Sequence, residues 1–216
     1  MANRYISDIH FGHENCIRLD SRPFENMDDM TKKITEKWNS VVADDDTVYI
    51  LGDFCWEKQN QWPKYLEPLN GNLVLIRGNH DPKRLGPPAR QYFEEVHDYM
   101  EVKEPDGRIV ILSHYPIPFH RAAYRKFMYM LYGHVHNSRE FRIVQALRDE
   151  VRNTVGDNGH HNLGQWYNCG CMLPWIDYAP RTLDEIIAGD TAWHNFELRN
   201  EIGTQDVKVK IDADAK

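Results

Sequence analysis

The sequence predicts an α/β fold, and three observations predict it. Five short apolar runs recur along the chain: NRYIS (3–7), TVYIL (47–51), NLVLI (72–76), RIVIL (108–112) and MYML (128–131). Each hands over at its carboxyl end to polar side chains, which is where sites gather in α/β sheets. Between the first two runs, apolar residues recur at helical spacing. The chain's 216 residues, 41% hydrophobic and 12% aromatic, are enough to fill one large core. No internal repeat, low-complexity linker or composition shift divides it, so residues 1–216 are expected to form a single domain.

In chain order, NRYIS is a short strand running into the ligand-rich loop DIHFGHEN. The helix that follows spans Met27 to Val42, with Met27, Met30, Ile34, Trp38 and Val41 on one face. Asn26 is its N-cap, and Asp28 and Asp29 complement the dipole in the first turn. TVYIL reads as a buried strand ending in GDF, where Gly52 permits a tight turn and Asp53 emerges. A helical stretch around Trp62 to Leu69 leads to NLVLI, which ends in RGNHD. In YMEVKEPDGRIVILSHYP the PDG turn joins two strands, with His114 just after the second. MYML leads into YGHVHNS. An amphipathic helix is expected over 139–155, with Phe141, Val144, Arg148, Val151 and Val155 in one row, followed by the loop GDNGHHN. QWYNCGCML reads as a strand, TLDEIIA as a short helix beginning near Thr182, NFELRN…DVKVKI as a terminal hairpin and DADAK as a frayed end.

Composition excludes several classes. No apolar run approaches the roughly 20 residues of a membrane span, and MANRYISDIHFG lacks the regions of a secretory signal, so a cytoplasmic protein is expected. Cys16, Cys55, Cys169 and Cys171 form no Cys-x-x-Cys pair and are expected to be reduced, mostly buried thiols; Cys169 and Cys171 read better as small buried hydrophobes than as a zinc pair. A net charge of −7 argues against strong non-specific nucleic-acid binding while leaving room for a local phosphate site.

The chemistry lies in the strand ends. His134 and His136 are one residue apart, and on a strand such residues point to one face, so both rings would aim at one spot. Alone, that pair is as well explained as a polar surface feature, Asp53 as a turn residue and Asn79 as a cap. Together, Asp8/His10, Asp53, Asn79/His80, His114 and His134/His136 finish five strands and suggest metal binding.

In that order, DIH, GDF, RGNHD, SHYP and YGHVH resemble the five blocks of the calcineurin-like metallophosphoesterases, from Ser7 to His136. HFGHEN, RPF and LDEII are similar to the small bacterial and phage members of that group. The resemblance implies a four-layer α/β/β/α sandwich of two mixed β-sheets flanked by helices. It also implies two divalent metal ions, held by Asp8, His10 and His136 on one side and by Asn79, His114 and His134 on the other, with Asp53 bridging. Carboxylates can bridge cations, imidazoles bind mid-row metals without adding charge, and an Asn carbonyl supplies a neutral oxygen. Manganese is the expected metal, with iron, zinc or nickel as alternatives.

The activity implied by the resemblance is that of a metal-dependent phosphoester hydrolase in which a hydroxide bridging the two metals attacks phosphorus in line. His80 would protonate the leaving group or stabilise transition-state charge, and Asp81 would hold its ring through a hydrogen bond. A phosphodiester is the expected substrate, in a nucleotide or short oligonucleotide, because no capping domain is evident. A phosphomonoesterase (nucleotide or protein phosphatase) and a non-catalytic binding module of the same fold are the alternatives. His13 and Asn15 are candidate substrate contacts or simply turn the chain into the first helix; Arg121, with His120 and Arg125, is a candidate for the substrate rim, though PFHRAAYRK reads better as a solvated helical face, and Arg77 is expected to pair with an acid. His160 and His161 are expected in an exposed loop; His97 and His194 carry no signal. Residues 139–165 depart most from the family pattern and read as a variable insertion, and 190–216 as a C-terminal extension.

Overall fold

The structure, a computed structural model, describes residues 1–157 and 159–196. Four strands, β1 (Asn3–Ile6), β2 (Thr47–Ile50), β3 (Asn72–Ile76) and β4 (Phe93–His97), form one sheet in the order β1-β2-β3-β4. A second sheet holds β5 (Tyr99–Lys103), β6 (Ile109–Ser113), β7 (Met128–Tyr132) and β8 (Trp166–Asn168), also in sequence order. Helices flank them: α1 (Glu14–Leu19), α2 (Met27–Val41), α3 (Pro63–Leu66), α4 (Pro87–Arg90), α5 (Arg139–Asn153) and α6 (183–196). Apolar side chains of both sheets, of α2 (Met30, Ile34, Trp38) and of α5 (Phe141) join in one hydrophobic core.

This is the expected α/β architecture of two sheets and outer helices, except that of the two sheets expected to be mixed only the second is mixed in its named strands. The second sheet is mixed, because β5 turns back antiparallel to β6 through the PDG turn while β6, β7 and β8 are parallel. In the first sheet all four named strands are parallel, and its antiparallel component is an isolated bridge between Tyr5 and Arg181. Parallel neighbours need crossover connections, and α2, α3 and α4 lie in the three that join β1 to β4.

The helix predicted from Met27 forms as α2, and Asn26 Oδ1 accepts from the Asp29 amide at 2.9 Å. α5 stops at Asn153, two residues short of the predicted end, because Val155 turns out to an isolated bridge with His161. α6 is longer than predicted. Thr182 and Glu185 cap it reciprocally, the Glu185 amide donating to Thr182 Oγ1 and the Thr182 amide to Glu185 Oε2. It continues past Gly189, where a Cβ would lie 2.2 Å from the Trp175 Cβ, so glycine is there for close packing and does not end the helix. Asn195 and Phe196, expected to begin a hairpin, are therefore helical; the rest of that hairpin and DADAK lie outside the described residues. β4 was not expected from the sequence.

Only Trp166–Asn168 of QWYNCGCML pairs as a strand of the second sheet. The residues after it join the sheets. The Ser7 amide donates to the Cys169 carbonyl (2.8 Å) and the Cys171 amide to the Ser7 carbonyl (2.9 Å), a parallel bridge between Ser7 and Gly170. This seam sets the loop after β1 beside the loop after β7, because the Cys169 amide donates to Tyr132 at the end of β7. All four cysteines are free and buried. Among the described residues no helix is long and apolar enough to cross a membrane.

Candidate metal centre

Five of the seven predicted ligands leave their strands in the left-handed backbone region: Asp8 (φ 57°), His10 (56°), Asp53 (54°), His134 (70°) and His136 (46°). For residues with a Cβ this conformation costs on the order of 1 kcal/mol or more each, and it persists where surrounding contacts impose it. Here the Asp8 amide donates to Gly52 O, the His10 amide to Asp53 O, and the His134 amide to the Asp8 carboxylate at 3.1 Å. His134 and His136 thus lie beyond β7 in turns, and strand pleating does not aim them. Two glycines let these loops close: a Cβ on Gly52 would sit 2.4 Å from His114 Nδ1, and one on Gly78 2.2 Å from Asp53 Oδ1.

The structure brings all seven together. His10 Nε2 is 3.3 Å from His136 Nε2 and 3.7 Å from Asp53 Oδ2; His136 Nε2 is 3.6 Å from Asp8 Oδ1. His114 Nε2 lies 3.6 Å from Asp53 Oδ2 and 2.9 Å from Asn79 Oδ1, which is also 2.9 Å from His134 Nδ1. Donors held about 2.0–2.2 Å from one ion at tetrahedral or octahedral angles are themselves separated by about 2.9–3.5 Å, so these spacings suit shared cations. Asp8, His10 and His136 form one cluster of potential ligand atoms, and Asp8, Asp53 and His114 another. Asp53 Oδ1 accepts the His80 amide (2.9 Å), which leaves Oδ2 as the oxygen reaching toward both His10 and His114.

Hydrogen bonds on the far side of two rings set their tautomers. His136 Nδ1 lies 2.8 Å from Asp20 Oδ1, and His114 Nδ1 2.8 Å from the Leu51 carbonyl. Each Nδ1 gives its proton outward, so each ring in its neutral form turns an Nε2 lone pair inward. His114 Nε2 then faces the acceptor Asn79 Oδ1 at 2.9 Å, a repulsion that a cation relieves. Lone pairs and carboxylate oxygens converge, so the donor set fits divalent metal.

Charge states follow the same geometry. Burial, then the neighbouring His136 and Arg22, pushes His10 down to about 2, keeping it neutral. Burial, with His114, also lowers His134. Burial opposes a charge on His136 too, but the Asp20 hydrogen bond and the Asp8 charge outweigh it and raise its pKa. Asp20, although partly buried, is held down to about 2 by its hydrogen bond to His136 and by Arg22. Burial, reinforced by Asp8, raises Asp53 against the pull of His114.

His80 projects into a cavity of ≈ 240 Å³ with its Nε2 4.0 Å from Asp53 Oδ2. Asp81 does not hold that ring. Its carboxylate accepts three backbone amides, from Asp53 (2.8 Å), Gly78 (2.8 Å) and Phe54 (3.1 Å), so it ties the second and third ligand loops together. His80 is instead flanked by Trp56, at 4.4 Å between ring centroids.

His13 lines the same cavity and stacks on Trp56 at 4.0 Å and 8°. Asn15 is exposed on α1 and is not among the residues lining the cavity. Arg121 is exposed and paired with Glu101, outside that lining. His120, His160 and His161 line a separate cavity of ≈ 390 Å³, and Arg125 lies over the Tyr124 and Phe127 rings. Arg77 pairs with Asp98 (2.7 Å), His97 with Glu95 (2.6 Å) and His194 with Asp149 (3.6 Å).

Sequence reasoning passed over Asp20, Arg22, Trp56, Tyr115 and Asn168. Buried Arg22, inside the RPF motif, donates to the Ile9 and Asp8 carbonyls (2.7 and 2.9 Å) and to Asp20, bracing the first ligand loop. Asn168 Nδ2 donates to the His136 carbonyl at 3.0 Å. RPF, for Arg22, and SHYP, for Tyr115, were the signals available; Asp20 and Asn168 act through contacts distant in sequence.

A family model described as calcineurin-like phosphoesterase matches residues 5–192, which include every one of these candidate ligands. The chain belongs to that family. It is 34% identical over 154 residues to an uncharacterized protein, MJ1445, of Methanocaldococcus jannaschii, covering 69% of this chain and 79% of that one. It is also 28% identical over 184 residues to the Gene 66 protein of Mycobacterium phage D29, covering 74% and 89%. Among solved structures it is similar to a protein of unknown function, AQ665, from Aquifex aeolicus, with a TM-score of 0.59 and 26% identity over 86% of this chain and 97% of that one. Membership of the calcineurin-like phosphoesterases supports metal-dependent hydrolysis of phosphoesters, and the Asp/His clusters are suited to hold the metal ions.

Proposed function

We propose that this calcineurin-like phosphoesterase is a phosphodiesterase with a dinuclear centre, one ion held by Asp8, His10 and His136, the other by Asn79, His114 and His134, and Asp53 shared. The observation that carries this reading is the approach of two imidazole nitrogens to one carboxylate oxygen, Asp53 Oδ2, which lies 3.7 Å from His10 Nε2 and 3.6 Å from His114 Nε2. When bound, two divalent ions supply Lewis acidity, activating water and neutralising phosphate charge. Manganese is the proposed metal, with iron, zinc and nickel as alternatives.

The remaining work falls to the chain. His80, half exposed at the cavity, is placed to give a proton to the departing oxygen. Asp81 fixes the relative position of the loops bearing Asp53 and Asn79, and Asp20 and Arg22 fix the loop bearing Asp8 and the ring of His136. The substrate is a small phosphodiester such as a nucleotide or short oligonucleotide, consistent with a net charge of −7 that disfavours long nucleic acid. Four free, buried thiols suit a reducing compartment, and we place the protein in the cytoplasm.

The test is the ratio of kcat/KM for a bis-aryl phosphate diester to that for the matching monoester, after stripping metal and restoring manganese. A ratio well above one is expected. A ratio well below one moves the assignment to phosphomonoesters, and turnover of neither returns it to a binding module.

A further inference from the structure

Phosphate and metal ions call for charged and polar surroundings, yet two large aromatic rings stand open beside this centre. Trp56 and Tyr115 are each 46% exposed. Single exposed aromatics are ordinary on protein surfaces; their placement here carries the argument. Trp56 adjoins the first half of the donor set, its ring centroid 6.1 Å from His10 and 4.4 Å from His80. Tyr115 adjoins the second half, 4.7 Å from His134 and 5.1 Å from His114.

Both rings are held by neighbours, so packing against a substrate costs little further ordering. Trp56 stacks on His13, and its amide donates to the Phe11 carbonyl at 2.8 Å. Tyr115 packs edge-on against two ligand imidazoles, and its amide donates to Ser113 Oγ at 3.2 Å. Leu19, 65% exposed, lines the metal cavity together with Trp56, so the Trp56 side offers apolar surface from two elements.

We propose that Trp56 and Tyr115 are specificity-determining residues, each packing against a flat heteroaromatic group on one side of the scissile phosphate. The inference rests on the phosphodiesterase reading and deepens it: the substrate is a diester joining two nucleosides, with one base against Trp56 and the other against Tyr115. Stacking of a base on an aromatic side chain is worth on the order of 1–3 kcal/mol, or about 5- to 150-fold in binding.

The test uses manganese-restored protein and a dithymidine analogue whose leaving oxygen is replaced by methylene, so that it binds without turnover. Calorimetry is run with this analogue and with two versions each lacking one base. Trp56→Ala and Tyr115→Ala are each expected to weaken the full analogue about 5- to 150-fold. Each variant should also become indifferent to loss of one particular base, a different one for the two variants. Trp56→Phe and Tyr115→Phe, which keep a ring, should restore most of the loss and show that the alanine variants fail at the surface and not by misfolding. Equal weakening of full and base-lacking analogues would overturn the proposal in favour of a structural role, such as bracing His80; so would unchanged binding, or no binding by the unaltered protein. The bis-aryl ratio separates the two conclusions. Diester turnover without base discrimination overturns the stacking assignment alone, and base-dependent binding without diester turnover overturns the phosphodiesterase reading alone.

Discussion

Replacing Asp81 by alanine removes one carboxylate and strands three donors, the buried amides of Asp53 and Phe54 and the part-buried amide of Gly78. A buried donor left without a partner costs about 1–3 kcal/mol. Water entering the vacated space recovers part of this, so the expected loss is about 3–5 kcal/mol, a large share of the roughly 5–15 kcal/mol that holds a domain folded. The assay is urea unfolding of metal-stripped protein, since bound metal would add its own stabilisation. Asp81→Ala should lower the midpoint at a nearly constant slope, and Asp81→Asn, which keeps one acceptor, should lie between. If Asp81 acted chiefly by holding the His80 ring, Asp81→Ala would leave stability almost untouched and cost turnover alone. A loss below about 1 kcal/mol would therefore refute the claim that this carboxylate ties the loops together.

Asp53→Ala should abolish binding of at least one metal ion and nearly all hydrolysis, checked by metal analysis and kinetics; two ions retained with activity would remove Asp53 from its bridging position. His80→Ala should keep both ions and lose most turnover on esters with poor leaving groups, and an equal loss on activated and unactivated esters would mean that it is not chiefly an acid. Asp20→Ala frees the His136 ring and should weaken metal affinity about 10- to 100-fold by competition with a chelator, whereas unchanged affinity would show that the carboxylate does not orient it. In metal-free protein, His10, lowered to about 2, binds its proton in the unfolded chain first, so stability should fall as pH drops below 6.5. The slope for that one group is about 1.4 kcal/mol per pH unit. The lowered His13 and His134 act in the same direction, while the raised His136 opposes them, its contribution fading as pH rises through its folded value. His10→Gln should flatten the pH dependence of unfolding, and an unaltered slope would show that His10 is not the group responsible.

The candidate ligand set could be named because each of its residues follows an apolar run that reads as buried strand, so chemistry-bearing side chains stood out against hydrophobic background. α2 was legible for a local reason as well, with the Asn26 cap and the Met30, Ile34, Trp38 row both written within a few residues. β4 escaped notice because FEEVH buries only Phe93 fully and reads as polar. The length of α6 was hidden by Gly189, a residue that suggests a stop until Trp175 is seen against it. Asp20 could not be assigned from sequence, since its partner His136 is 116 residues away. Asp81 was expected to hold the His80 ring, whereas its carboxylate accepts three backbone amides, contacts that leave no mark on composition. The aiming of His134 and His136 by left-handed turns was equally invisible, as that region gives no warning in histidine.

The seam between Ser7 and Gly170 bears on the order in which the molecule comes together. Asp8 follows immediately on a residue whose amide is satisfied only by Cys169, some 160 positions later in synthesis. Helices such as α2 need only their own neighbourhood to form, but closing a loop of that size is slow and yields nothing until it is complete. The first ligand to leave the ribosome is therefore among the last to be fastened. Ion capture by Asp8, His10 and His136 should lag behind the formation of α2, so that refolding followed by helical circular dichroism finishes before refolding followed by metal uptake.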